Sequence, residues 1–387
     1  MTDLENYSNI IDNIFGANTT TFKRTGNSTN NVIGALNNAS NFEVFAANFT
    51  QRLRRLNAIY SPYSEYLQEI LVKVNLITNN NNWEGAFAEL ACYDHLNKMI
   101  LTGKDYLSIP IKPDITLNKS ESFSLELGKE ATNIDGVIED YEIYFDIKSF
   151  KDNVDELLES IFIDFKKHLN NNEVHILGSY QMDISYTEIQ DKRIALLNEL
   201  KDKVTEGSQI KSLQSSIING LSYQILWGGG INTAIRGFSP YGYAKNNYQL
   251  IFKYADKFLK HKPSLIVMVS LPWYNQILNN RIMDNSITYR ALARRFFCQH
   301  IKDITKFNSL NPKFTGEQTV FEVSQYLSGI LFLEDNAILS DKPNDTNVKG
   351  YLYLNPNAKH SLNRSIARHY LFSLVGINFE DFEDDNY

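Results

Sequence analysis

Cysteine is nearly absent from this chain: its 387 residues hold two, Cys92 and Cys298, far apart. Neither a disulfide framework nor a C-x-x-C zinc site can be made from that pair. The seven histidines show no H-E-x-x-H or comparable ligand spacing, so zinc chemistry is not expected. Long apolar runs are missing too. No segment approaches the roughly 18 uninterrupted apolar residues of a membrane-spanning helix, and the opening MTDLENYSN lacks a basic region followed by an apolar stretch. The expectation is a soluble, cytoplasmic protein without membrane contact. There is no surplus of positive charge either: 38 Lys and Arg stand against 45 Asp and Glu, a formal net charge of −7. That excludes a generally basic nucleic-acid coat and leaves room for a local basic groove. Part of the acidity sits in the tail, residues 380–387, which reads as a solvated end.

What is present suits a large core. A chain 43% hydrophobic and 12% aromatic at this length predicts one elaborated domain or two to three modules. The stretch NIDGVIEDYEIYFDIKSF, Asn133 to Phe150, reads as a β-hairpin of two alternating runs meeting at Asp140-Tyr141. Antiparallel pairing then sets Glu139 opposite Glu142, Ile138 opposite Ile143 and Asp135 opposite Asp146. Alternation puts Asp135, Asp146 and Lys148 on one face, and Ile134, Ile138, Ile143, Phe145 and Ile147 on the other. Carboxylates about 4 Å apart repel by roughly 4 kcal/mol at an effective dielectric of 20. A divalent cation is the simplest compensation, and hard oxygen ligands at an open site suit Mg²⁺.

Upstream, residues 1 to about 40 are rich in Asn, Thr and Ser, and GANTTTFKRTGNSTNN within them reads as loop. Asn41 to Ile77 is helix-patterned, with Arg52, Arg54 and Arg55 expected on a solvated face. The next helix, Trp83 to Leu101, carries an anomaly. Glu89 falls in line with Tyr93, Leu96 and Ile100 inside an apolar sector, whereas Glu84 falls with His95 and Lys98 on a polar side. A carboxylate on an apolar face needs a cation, strong donors or an open cleft. After a loop containing Pro110 and Pro113, SFSLELG reads as a strand ahead of the hairpin.

Beyond the hairpin come a helix at Asp155 to Leu169, a strand in EVHILGSY, a charged helical stretch at Glu188 to Val204, and Gly228-Gly229-Gly230, which reads as a helix stop with a loop. A strong helix is expected at Ala244 to His261, then a buried strand in PSLIVMVSLPW. A helix bearing Arg281, Arg290, Arg294 and Arg295 follows. Strands in LSGILFLED and KGYLYLNP and a last helix in SIARHYLFSLVG complete the chain.

A helix with an inward Glu89, a strand, a hairpin with Asp135 in IDG and Asp146-Ile147-Lys148, then a helix and a buried strand: this order resembles the PD-(D/E)XK nuclease superfamily. The runs HKPSLIVMVSLPWYN, RALARRFFCQH, LSGILFLED and YLYLNPNAKHSL resemble its large prokaryotic members. The likeness covers roughly Trp83 to Leu362. It departs in having Ile134 where the superfamily often has Pro, and either Asp155 to Leu169 or Ala244 to His261 could be the core helix after the hairpin, the second being favoured by the stronger strand behind it.

The resemblance implies an α/β fold: a restriction-endonuclease-like core of helix, three-stranded antiparallel meander, helix and strand, in a mixed sheet with large helical additions. The expected divisions are a helical extension at 1–82, a nuclease core at 83–275 with a helical insertion at about 151–243, and added helices and strands at 276–387. It further implies a metal-dependent endonuclease of DNA, in restriction-type or anti-phage defence, with RNA cleavage or a non-catalytic binding role as alternatives. Asp135, Asp146, the Ile147 carbonyl and Glu89 would hold Mg²⁺, with Mn²⁺ as a substitute, and Lys148 would orient or deprotonate the attacking water. Arg290, Arg294 and Arg295 are the expected phosphate contacts on DNA, and a homo-oligomer is compatible with this reading.

Overall fold

A computed structural model of the chain describes residues 2–27, 31–37, 39–97, 107–151, 153–169, 174–180, 184, 186–205, 212–227, 240–273, 285–336, 338, 349–363 and 377–380. Lys98, Ile100, Gly228-Gly229-Gly230, Arg281, the expected last helix and the tail beyond Glu380 lie outside them. The fold is mixed α/β and falls into two units. One comprises Met1–Phe150, Phe252–Ile282 and Phe297–Tyr387; the other comprises Lys151–Ile251 and Met283–Phe296.

The first unit is built on a mixed sheet. Its strands are β1 (Lys112–Asn118), β2 (Ala131–Ile138), β3 (Ile143–Phe150), β7 (Ser264–Ser270), β8 (Gly329–Glu334), β9 (Lys349–Leu354) and β10 (Ile377–Glu380), in the order β1-β2-β3-β7-β8-β9-β10. The first three form an antiparallel meander. β7 lies parallel to β3 on one side and to β8 on the other. Every residue of β7, SLIVMVS, is buried, and a strand covered on both faces has no use for polar alternation.

Helices α1 (Asp3–Phe15), α2 (Asn31–Asn37), α3 (Ala39–Tyr60), α4 (Ser64–Leu76) and α5 (Trp83–Leu96) precede the sheet. α5 packs on β3 and β7 and also touches α3 and α4. Its sequence, WEGAFAELACYDHL, is apolar nearly all round because it is buried on more than one side. One core runs from Tyr7 and Phe49 through Phe87 and Leu90 to Phe145, Val267 and Leu331. The first helices therefore share their core with the sheet rather than extending from it.

Three expectations change here. The strand before the hairpin is Lys112–Asn118, whereas SFSLELG forms turns in which Phe123 packs on Phe314 and Tyr326 and Leu125 is exposed. Pro113 is tolerated inside β1 because β1 is an edge strand, where a missing N–H costs no ladder bond. The expected helix at Ala244 to His261 is a short α-helix, Pro240–Asn247, followed by a 3₁₀ segment, Tyr248–Lys257, with non-helical geometry at Tyr254. Phe252, Ala255 and Phe258 are buried at every third residue, the 3₁₀ period. Finally, Arg52 is not on a solvated face. It is 2% exposed, bonds both carboxylate oxygens of Asp335, and lies 3.5 Å from Asp94. Arg55 forks onto Asp94 as well, while Arg54 is exposed.

The segment leading into β7 lies against β2: Thr132 Oγ1 donates to Asp256 Oδ2, and Leu259 clusters with Leu117 and Ile134. The alternative helix, Asn153–Leu169, packs instead on β4 (Val174–Tyr180) in the second unit. That unit holds strands as well as helices, and the strand expected in EVHILGSY is β4. β4, β6 (Leu221–Trp227) and β5 (Ser212–Gln214) form an antiparallel sheet in the order β4-β6-β5. Val174, Ile176, Leu221, Tyr223 and Ile225 turn one face of it into a core with Leu158 and Phe162.

Candidate metal and catalytic site

The hairpin keeps its expected register at Ile138↔Ile143, Val137↔Tyr144 and Gly136↔Phe145. Its connection is longer than two residues: Glu139–Tyr141 form a 3₁₀ turn and Glu142 takes left-handed geometry, φ 52°. Gly136 is required by packing. A Cβ there would lie 2.4 Å from the ring of Phe145, which is buried beneath it. Toward Asp135 simple alternation fails. Ile138, Ile143, Phe145 and Ile147 belong to the main core, as expected, but Ile134 sits with Leu117 and Leu259 in a separate cluster.

Asp135 is held at that change of face. Its Oδ2 accepts the Ile147 backbone N–H at 2.6 Å, and its own carbonyl accepts the Tyr93 hydroxyl from α5. Two further carboxylates approach it. Glu89 from α5 and Asp114 from β1 each bring an oxygen to within 4.8 Å of the others, a group able to hold a metal ion. Asp114 adopts left-handed backbone geometry, φ 46°, in an otherwise extended strand. Lys73 of α4 lies between two of the three, with its Nζ 2.7 Å from Glu89 Oε2 and 2.7 Å from Asp114 Oδ2. Burial, and then the Asp135 charge, push Glu89 up to about 7, against the pull of Lys73. Burial works against the Lys73 ammonium, yet Glu89 and Asp114 outweigh it and hold Lys73 above the ordinary lysine range.

The second half of the site hangs on the other strand of the hairpin. Asp146 is 1% exposed and pairs with Lys148 Nζ at 2.6 Å. Lys257, from the 3₁₀ segment, stands 3.7 Å from its other oxygen. Lys148 also reaches Asp135 Oδ2 at 3.6 Å and donates to the Ile147 carbonyl at 2.9 Å. Its ammonium lies over the Tyr254 ring, 5.2 Å from the centroid. Tyr254, at the kink of the 3₁₀ segment, and Lys257, at its end, both present to β3. Burial first and Asp135 second push Asp146 up to about 7. Burial opposes the charge on Lys148, but Asp146 and Asp135 prevail and keep it cationic, above the usual lysine range.

The expected residues are thus brought together, but in two groups joined at Asp135. Glu89 lies with Asp135 and Asp114; Asp146 and Lys148 lie with Lys257; and the Ile147 carbonyl is taken by Lys148. Glu84 bonds Ser149 Oγ of β3. Asp114, Lys73, Lys257 and Tyr254 were not singled out from the sequence. Lys73 had a signal: it sits among Ile70, Val74 and Ile77 on the buried side of α4, the same anomaly as Glu89 on α5. Arg290, Arg294 and Arg295 lie in the helix Asn285–Cys298 and belong to the second unit, where Arg295 stacks over Tyr248 at 5.7 Å. Among the described residues no helix is long and apolar enough to cross a membrane. Comparison with protein-family models, with curated proteins and with solved structures finds no match to this chain.

Proposed function

We propose that this chain is a Mg²⁺-dependent endonuclease that hydrolyses DNA phosphodiester bonds on a restriction-endonuclease-like core, in a defence setting. The observation that carries the reading is the convergence of Glu89, Asp135, Asp146 and Lys148 from α5 and one β-hairpin, with β7 parallel to β3 behind them. The order helix, antiparallel meander, short helical segment and parallel strand supports this reading, since it is the order that the resemblance to the PD-(D/E)XK superfamily implies.

Glu89, Asp114 and Asp135 suit Mg²⁺ as hard oxygen donors from three separate elements. Bound there, the ion would supply Lewis acidity at the scissile phosphate and a more acidic water. Lys148, beside Asp146 and Asp135, would orient or deprotonate the attacking water and steady the negative charge growing on the phosphate. Asp146 would hold Lys148 in that position, with Lys257 beside the other oxygen of Asp146. Arg290 and Arg294, four apart on one helix face, are the proposed phosphate contacts.

The test is one gel: pure protein with plasmid, phage DNA and total RNA, in Mg²⁺, Mn²⁺ or EDTA. DNA should be cut with either metal and spared in EDTA. Cutting of RNA alone points to the RNA-cleaving alternative, no cutting to a binding protein, and cutting in EDTA contradicts the metal.

A further inference from the structure

The geometry points to Lys73 as a built-in competitor of the metal: its ammonium occupies the place between Glu89 and Asp114 that a divalent ion needs, and loading requires it to leave. This rests on the metal reading above and adds what governs that site.

Lys73 is anchored on α4, outside the elements that carry Asp135, Asp146 and Lys148. Its Nζ lies 2.7 Å from one oxygen of Glu89 and 2.7 Å from one of Asp114. Those are two of the three residues that can close on a common ion. Mg²⁺ binds oxygen at about 2.0–2.1 Å, so an ion on those same two oxygens and an ammonium at hydrogen-bond distance from both cannot share the space. Lys73 also supplies one positive charge to three carboxylates, enough to keep them together and too little to neutralise them.

The side chain has somewhere to go. Glu69 lies one turn back on α4, near enough to Lys73 and Asp114 for both charges to act on it. A residue four positions away on the same helix face is within reach of a four-carbon stem. The metal-free site is therefore held ready by a tethered cation, and Mg²⁺ binds the free protein only as tightly as its advantage over that cation allows.

The experiment uses the full chain and Mg²⁺ alone, without nucleic acid. Titration calorimetry on wild type and Lys73→Met should show about tenfold tighter Mg²⁺ binding, or more, in the variant. Its metal-free melting temperature should be lower, and the gain on adding Mg²⁺ larger, than in wild type. A second measurement needs no variant. Reductive methylation of wild type, read by mass spectrometry at Lys73, should increase several-fold when Mg²⁺ is saturating. Equal or weaker Mg²⁺ binding by Lys73→Met, or labelling of Lys73 that ignores saturating Mg²⁺, overturns the competitor role while leaving the metal site standing. Absence of Mg²⁺ binding by both proteins overturns the competitor and the metal reading together.

Discussion

Glu84 and Glu89 lie five residues apart on α5 in different chemical settings. Glu84 bonds the Ser149 hydroxyl, whereas Glu89 is pressed between Lys73 and the Asp135 charge and pushed up to about 7. On the proposed nuclease reading, Glu89→Gln should lower DNA cleavage by about 100-fold or more and weaken Mg²⁺ binding, while Glu84→Gln should change either by no more than a few-fold. Steady-state cleavage and calorimetry decide it, and the reverse ranking would shift the helix carboxylate to Glu84. The pH dependence has a definite sign. Glu89 must lose its proton to take a metal, so Mg²⁺ affinity should fall as pH drops below about 7 and level off above it; Glu89→Gln should flatten that dependence. A carboxyl raised in the folded state stabilises the fold while protonated. Its contribution is complete below the ordinary glutamate range and is lost as pH rises through about 7, so protection by Mg²⁺ should be greatest on the alkaline side. At this scale the sequence was informative wherever a charge broke an apolar pattern. Glu89 was legible for that reason and Lys73 carried the same signal; Asp114 did not, because its strand contains a proline and passes for a loop.

Elements were legible where alternation ran unbroken. Ile138 against Ile143 follows from the two runs of the hairpin, and β7 from seven consecutive buried residues. Alternation misled in two places. SFSLELG alternates but folds into turns, because Phe123 finds a local aromatic pocket with Phe314 and Tyr326. Ile134 should share the face of Ile138, yet the strand changes face near Asp135, where Asp135 accepts the Ile147 N–H through its side chain. Side-chain competition for backbone bonds of this kind leaves no mark in a hydropathy pattern. The device that seats the hairpin is Gly136 beneath Phe145. Gly136→Ala places a methyl carbon 2.4 Å from a ring that is 1% exposed. The expected loss is about 1–3 kcal/mol, the usual range for overpacking, read from urea unfolding midpoints. In a Phe145→Leu background the same substitution should cost clearly less. An equal cost in both backgrounds would place the requirement for glycine elsewhere.

The second unit is assembled from two separated stretches, Lys151–Ile251 and Met283–Phe296; the expected insertion at about 151–243 overlaps the first, and nothing in the chain marks the second as its partner. Nor does anything mark the standing of the first 82 residues, whose helices look detachable but place Tyr7, Phe49 and Leu53 in the same core as the sheet. An ion network closes that core. Arg52 of α3 passes over the Phe87 ring at 5.3 Å and forks onto Asp335, the residue after β8, whose backbone N–H in turn bonds the Ser270 carbonyl at the end of β7. Arg52 and Asp335 are 2% and 1% exposed. Asp94, at 3.5 Å from Arg52, is already forked by Arg55, so it cannot take over as the main partner. Asp335→Ala therefore leaves a guanidinium buried without its acceptor, and the expected loss is about 3–5 kcal/mol by urea denaturation. Arg52→Met with Asp335→Leu removes both charges and keeps apolar volume, and should recover most of that loss. The recovery separates an uncompensated charge from a general intolerance of change at the junction of α3 with the sheet. If Asp335→Ala costs less than about 1 kcal/mol, the ion network does not join the N-terminal helices to the sheet, and their shared apolar core alone holds them there.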